Sequence, residues 1–176
     1  HPTQALLDIY TIQKELGSLK NLRVSLVGDL KNGRTVHALV ELLSLFRAKL
    51  HFVSPESLRM PEEITSQLKE RGIEVMETGD MKEAALASDL IYMTRIQKER
   101  FEDLSEYERV KGSYIINEDL LKGLQKKMII LHPLPRVDEI NPNVDAYPGA
   151  AYFRQVRNGV FVRMALLSMV MGKAVD

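Results

Sequence analysis

Apolar residues recur at helical spacing from the start of the chain. Ala5, Ile9, Ile12 and Leu16 fall about one turn apart and Gly17 follows, so residues 2–16 read as an amphipathic helix closed by a glycine. A β-rich run, Arg23–Val27, ends in Gly28-Asp29, and Thr35–Phe46 returns to helical periodicity. The alternation continues with a strand over Leu50–Val53, a turn bracketed by Pro55 and Pro61, a charged helix over Glu62–Arg71 and a strand over Ile73–Met76. A helix over Met81–Ala87, a strand over Leu90–Met93 and a charged stretch over Arg95–Glu108 come next. The pattern then predicts a strand over Tyr114–Ile116, a helix over Glu118–Leu124 and a strand over Met128–Leu131. An irregular segment with Pro142 and Pro148 leads to a long final helix over about 151–171, with Asn158-Gly159 as a candidate break.

Strands separated by helices of this length imply right-handed crossovers and a mainly parallel sheet. The runs VSLV, LIYM and MIIL are nearly all apolar, as burial on both faces demands. The expected fold is therefore a doubly wound α/β domain, Rossmann-like, with helices on both faces of the sheet. Such sheets take ligands beyond the carboxyl ends of their strands. Gly28–Thr35, Thr94–Arg100 and His132–Arg136 all sit there.

Composition narrows the class of function. The 176 residues fit one domain, and 45% hydrophobic with 27% charged residues is ordinary for a folded protein. Twenty-four basic residues balance 24 acidic ones, so no basic excess points to nucleic acid or an anionic membrane. No apolar run approaches the roughly 20 residues needed to cross a bilayer, and the first residues lack a secretory pattern. The absence of cysteine removes disulfides, thiolate metal sites and a cysteine nucleophile. No His and carboxylate cluster has metal-ligand spacing, and a cytoplasmic setting is the expectation. The chain opens at His1-Pro2-Thr3-Gln4 without an initiator Met, directly into a helix, and reads as a piece of a longer protein.

Gly28-Asp29-Leu30-Lys31-Asn32-Gly33-Arg34-Thr35 nearly satisfies the phosphate-cradling loop G-x-x-x-x-G-K-[ST], but Arg34 stands where Lys is required. Either it is a strand–helix turn that needs two glycines, or the helix start and Arg34 receive an anion. Thr94–Arg100 carries three cations and one acid straight after a strand. It is a solvated loop, or it holds Arg95 at the rigid strand end as a positioned guanidinium with a mobile lid beyond. His132-Pro133-Leu134-Pro135 is a stiff turn whose prolines supply no N–H, so it offers carbonyl acceptors that suit a ligand –NH2. His37 and His51 read as surface or packing residues. Met164, Met169 and Met171 read as helix packing.

Together these segments resemble one family. His1-Pro2-Thr3-Gln4, Gly28–His37, Tyr92–Arg100 and His132–Ile140 look like aspartate carbamoyltransferase, in the family's order. The resemblance covers all 176 residues but corresponds only to the C-terminal half of the family's catalytic chain. Residues 1–16 then correspond to a helix leading to an absent carbamoyl-phosphate domain, 17–150 to the aspartate-binding domain, and 151–176 to a helix returning toward the absent domain. Ala150–Gln155 and Arg163–Leu167 look more like the eukaryotic versions, which form one module of a multifunctional pyrimidine-synthesis protein.

The resemblance implies carbamoyl transfer from carbamoyl phosphate to the amine of L-aspartate, with no cofactor and with a homotrimer in the intact enzyme. It implies His1 as the donor to the carbamoyl oxygen, Gln4 as a ligand of the carbamoyl group, and the carbonyls of Leu134 and Pro135 as acceptors for its –NH2. Arg34, Arg95 and Gln97 would bind aspartate. The family's phosphate-binding Ser-Thr-Arg-Thr segment is absent from the chain, so these residues would be one side of an active site and inactive alone. Three alternatives stay open: an ornithine carbamoyltransferase-like enzyme, a P-loop NTPase resting on Gly28–Thr35, and a non-catalytic α/β module. Arg95, Lys98 and Arg100 argue against a cationic amino acid as substrate.

Overall fold

The structure, a computed structural model, describes residues 1–124 and 128–173. Five strands form one parallel sheet: β1 (Arg23–Val27), β2 (Lys49–Val53), β3 (Val75–Thr78), β4 (Leu90–Met93) and β5 (Ile129–Leu131), in the order β3-β2-β1-β4-β5. Between and around them run α1 (Pro2–Leu16), α2 (Arg34–Ser44), α3 (Glu62–Glu70), α4 (Met81–Ala87), α5 (Leu104–Val110), α6 (Glu118–Lys122) and α7 (Tyr152–Val170). The doubly wound α/β fold expected from the alternation is the fold observed. The last three residues of the 151–176 segment lie outside the described residues.

Side-chain alternation along each strand divides the core in two. Val24, Leu26, Leu50, Phe52, Leu90, Tyr92, Ile129 and Leu131 share one cluster with Ile12 of α1 and Val36, Leu39, Val40 and Leu43 of α2. Val27, Val53, Ile91, Met93 and Ile130 face the other way, onto Ala84 and Ala85 of α4 and the chain around Ile116 and Ile140. Strand order reverses between β1 and β4, which places the switch point of the sheet, and hence its natural ligand crevice, at their carboxyl ends.

Several expectations need correction. Residues 114–116 form no strand: Ile116 makes a single bridge to Ile140. The free edge of β5 is taken by the 149–151 backbone, where the Ile130 N–H donates to Gly149 O and the Ala151 N–H to Ile130 O. Strand β3 begins two residues later than predicted, because the Ile73 N–H is spent closing α3 on Leu68 O. The charged stretch after β4 is not all loop: it holds a 3-10 turn at Lys98–Arg100 and the start of α5, whose N-cap Asp103 accepts from the Ser105 N–H.

Helix α7 runs through Asn158-Gly159 unbroken. Asn158 is buried and donates from Nδ2 to Thr11 Oγ1 of α1 at 3.1 Å. A Cβ on Gly159 would meet Leu7 Cδ2 at 3.1 Å, so the pair marks a close helix crossing, not a break. Met164, Met169 and Met171 do not pack inside the domain; all three are exposed. The buried face of α1 is also less apolar than its stripe suggested, since Asp8 and Thr11 lie inside it.

Candidate active site

The loops after β1, β4 and β5 converge on the first turn of α1. They enclose a cavity of about 230 Å³ walled by Gln4, by Asp29, Gly33 and Thr35, by Thr94, Arg95 and Gln97, and by His132, Pro133, Leu134 and Pro135. A hollow of about 360 Å³ shares Thr94 and Arg95 with it and runs toward Lys98, Tyr107, Lys111 and Asp138. The loops touch closely. Gly28 has φ +114°, and a Cβ there would stand 2.2 Å from Thr94 O, so only glycine lets the β1 and β4 loops approach this far.

Three backbone N–H groups of the β1–α2 loop are already taken. Asp29 Oδ1 accepts the Asn32 N–H at 2.9 Å, while the Leu30 and Lys31 N–H groups both donate to Leu58 O at 3.1 Å. A P-loop would aim these backbone N–H groups at an anion; here an internal carboxylate and a carbonyl already hold them. His37 packs under the loop with its Nε2 2.7 Å from Leu30 O.

The turn after β5 presents acceptors only. Pro133 and Pro135 have no N–H, and the one N–H between them, from Leu134, donates to His132 Nδ1 at 2.8 Å. Leu134 has φ +55° and its bond to Pro135 is cis. Since Nδ1 accepts, the His132 proton resides on Nε2, which donates to Glu139 Oε1 at 2.7 Å. Glu139 Oε2 takes the Val137 and Asp138 N–H groups, both at 3.1 Å. Burial pushes the Glu139 carboxyl up, but the His132 bond and the backbone donors outweigh it and hold it below the usual range.

A second buried chain starts at the His132 backbone. Its N–H donates to Gln155 Oε1 at 2.9 Å, and Gln155 Nε2 donates to Asp8 Oδ1 at 2.7 Å. Asp8 also accepts from Gln4 Nε2 at 2.8 Å and, on Oδ2, from the Tyr92 hydroxyl at 2.8 Å. Burial raises the Asp8 carboxyl from 3.8 to about 6, the bonds from Gln155, Tyr92 and Gln4 opposing it. Burial likewise pushes the Tyr92 hydroxyl well above 10, with Asp8 adding to the effect.

On the opposite wall Arg95 and Gln97 are half-buried and Glu99 is exposed. Arg95 Nη2 donates to Glu99 Oε1 at 2.9 Å, and Gln97 Nε2 lies 3.5 Å from the same oxygen. Glu99 sits below the usual carboxylate range, held there by its own backbone N–H and by Arg95.

Of the residues anticipated from sequence, Gln4, Arg95, Gln97, Leu134 and Pro135 line one cavity. His1 and Arg34 do not line it. His1 is the exposed N-cap of α1, and Arg34 the exposed first residue of α2, whose guanidinium has no partner among the described residues. Asp8, Tyr92, Gln155 and Glu139 were missed. A polar Asp8 and Thr11 between the buried positions Ala5 and Ile12 was the only signal available for the first of them. Among the described residues no group of three or more His, Asp or Glu could hold a metal ion, and no helix is long and apolar enough to cross a membrane.

Residues 20–170 match the family model of the aspartate/ornithine carbamoyltransferase Asp/Orn binding domain. The chain is 55% identical to the aspartate carbamoyltransferase catalytic subunit of Methanopyrus kandleri over 173 residues, covering 98% of this chain and 56% of that one. It is 52% identical to multifunctional protein CAD of Squalus acanthias, covering 98% of this chain and 8% of that one. The aspartate transcarbamoylase of Trypanosoma cruzi, solved with aspartate and phosphate, superposes with a TM-score of 0.85 at 44% identity, over 95% of this chain and 52% of that one. The chain thus spans little more than half of its single-function relatives and a small part of the multifunctional one. With its sheet, its three converging loops and these matches in agreement, the chain belongs to the aspartate/ornithine carbamoyltransferase family and corresponds to that family's amino-acid-binding domain.

Proposed function

We propose that this chain is the aspartate-binding half of an aspartate carbamoyltransferase, which joins carbamoyl phosphate and L-aspartate to give N-carbamoyl-L-aspartate and phosphate in pyrimidine synthesis. The observation that carries the reading is the cavity itself, where an acceptor-only turn and the Gln4 amide face a wall bearing Arg95 and Gln97. The carbonyls of Leu134 and Pro135 and the Gln4 amide suit the carbamoyl –NH2. Arg95, assisted by Gln97, suits a carboxylate of aspartate, and Arg34, unpaired at the start of α2, is the candidate for the other.

In this reading the neutral aspartate amine adds to the carbamoyl carbon. A donor aimed at the developing oxyanion contributes a few kcal/mol, and His1 is assigned that part. Collapse breaks the bond to phosphate, which leaves with the electron pair and takes up the proton that the nitrogen gives up. The two-armed hold on a dicarboxylate contributes mainly by keeping the amine at attack distance.

Residues 1–16 and 151–176 are assigned to the junction with a carbamoyl-phosphate domain, and 17–150 to the aspartate-binding domain proper. Exposed Leu6 and Tyr10 of α1 and Phe161, Met164 and Met169 of α7 support this, since they line an open apolar groove. The phosphate-binding residues, a homotrimer and membership in a multifunctional cytoplasmic protein belong to the same proposal. The test is direct. The full-length protein should form carbamoyl-aspartate but no citrulline when offered aspartate or ornithine, and the 176-residue chain alone should form neither. Citrulline formation would favour the ornithine reading, and turnover by the isolated chain would remove the claim that the site is half here.

A further inference from the structure

The carboxylate of Asp8 is buried, touches no surface of the cavity, and is bonded to a residue that does. Gln4 stands one turn before it on α1 and lines the cavity. An amide can present either its oxygen or its NH2 to a ligand, and the two ends are chemically opposite. What decides between them here is the neighbour. An ionised carboxylate only accepts, so Gln4 must turn Nε2 toward Asp8 Oδ1, 2.8 Å away, which leaves Oε1 as the amide's other end. Gln155 is fixed by the same logic: its Nε2 meets Asp8 Oδ1 at 2.7 Å and its Oε1 receives the His132 N–H at 2.9 Å.

Resting on the functional reading above, we propose that Asp8 is a positioning residue for carbamoyl recognition. Its carboxylate sets the Gln4 amide so that an acceptor, not a donor, meets the carbamoyl –NH2, and through Gln155 it ties that amide to the start of the His132–Arg136 turn. The two sets of –NH2 acceptors are thereby held in one frame, although Gln4 and Leu134 lie 130 residues apart in the chain.

Protonation would undo the arrangement, because a carboxylic acid donates and the Gln4 amide is then free to reverse. Asp8 is disposed to take a proton in a reachable range, near pH 6. The groups facing it are the Tyr92 hydroxyl from β4, the neutral amides of Gln4 and Gln155, and, more distantly, the cation of Arg163 on α7, which favours the charged form. The substitution Asp8→Asn is nearly isosteric and cannot titrate. It offers one acceptor oxygen and an NH2 to three donors, so the Gln4 orientation is no longer unique.

The experiment uses the full-length protein. Initial rates are measured against carbamoyl phosphate and against aspartate from pH 5.5 to 9, for the wild type, Asp8→Asn and Arg163→Gln. The wild type should show a rise in KM for carbamoyl phosphate below about pH 6.5 that KM for aspartate does not share. Asp8→Asn should raise KM for carbamoyl phosphate at pH 7.5 by several-fold to about tenfold, with kcat within about threefold, and should abolish the acid-side rise. Arg163→Gln, an exposed substitution that tests the idea even if Asp8→Asn fails to fold, should move the rise to higher pH. A variant pair that leaves the pH dependence of KM for carbamoyl phosphate unchanged overturns the proposal. An equal loss toward both substrates also overturns it, as loosened packing would produce. A wild type that makes no carbamoyl-aspartate instead refutes the functional reading, and the inference falls with it.

Discussion

Behind Gln4 the polar side chains are buried and bonded to one another, whereas on the Arg95 side they are half-buried or exposed and pair only locally. Asp8, Tyr92, Gln155, His132 and Glu139 come from α1, β4, α7 and the β5 loop, and their bonds fix which atom donates and which accepts. Arg95, Gln97 and Glu99 belong to one short segment, bonded within itself. In the proposed reading the first wall is ready for a small neutral group before it arrives, and the second offers a locally paired cation to a dianion. A carbamoyl group can be recognised only by hydrogen bonds of the right polarity, which repays a rigid frame. A dicarboxylate is attracted by charge over a distance, and its site can assemble around it.

The largest test of this contrast removes the charge that the proposed function sets against the aspartate carboxylate. Arg95→Ala in the full-length protein should lower kcat/KM for aspartate by at least about 100-fold, since a charge-assisted bond lost from a substrate carboxylate costs on the order of 3 kcal/mol. KM for carbamoyl phosphate should change little. The fold should hold too, because an exposed pair such as Arg95–Glu99 adds little stability. An equal loss toward both substrates would mean that the two walls are not separable.

The next test separates the two buried carboxylates by what they do for stability. Asp8 has a folded pKa raised to about 6, so between about pH 4 and 6 the folded state binds a proton the unfolded chain does not. Stability therefore falls as pH rises through that window, and above it ionisation has cost about 3 kcal/mol, the opposing bonds already included. Asp8→Asn should accordingly raise the melting temperature at pH 8 relative to wild type, with the gain about half as large at pH 5 and gone by about pH 4. Glu139 is shifted the other way. Its contribution is full above the unfolded carboxylate range and is lost as pH falls through its lowered folded value. Glu139→Gln cannot accept all three donors that Glu139 serves, and should cost about 2 kcal/mol at pH 7 and less in acid. Thermal unfolding at pH 5 and 8 checks both. Parallel pH trends for the two variants would contradict the assignment.

The sequence reveals the exposed wall more readily than the buried one, and the reason is physical. Strand and helix periods are local, so the alternation located β1, β2, β4 and β5 to within one residue at each end, and the loops that follow them. Cationic clusters and Pro-x-Pro turns are also local, which is why Arg95 and the acceptor turn at Leu134 and Pro135 were visible, whereas Gln97 entered only through the family resemblance. Asp8, Tyr92 and Gln155 gain their meaning from pairings across 84 and 147 residues. Nothing in any one segment announces such a partner. Residues 114–116 failed for a related reason: their β-rich composition is real, but the edge of β5 they would have joined is occupied by Gly149–Ala151. Asn158-Gly159 looks like a helix break by local propensity, and tertiary packing against Thr11 and Leu7 overrides it.

The smallest expected effect probes how far the exposed wall is ordered in advance. Glu99 holds Arg95 Nη2 at 2.9 Å, and a guanidinium restrained in this way has less rotamer freedom to lose when a ligand arrives. Glu99 is exposed and water screens the pair, so the restraint is weak. Glu99→Gln should therefore raise KM for aspartate by only about twofold to fivefold at low salt, and raising the ionic strength should narrow the gap by screening the pair in the wild type. A fall in KM would give the opposite picture: the Glu99 carboxylate would be a competitor standing in the place of the substrate's, and the exposed wall would open only when aspartate displaces it.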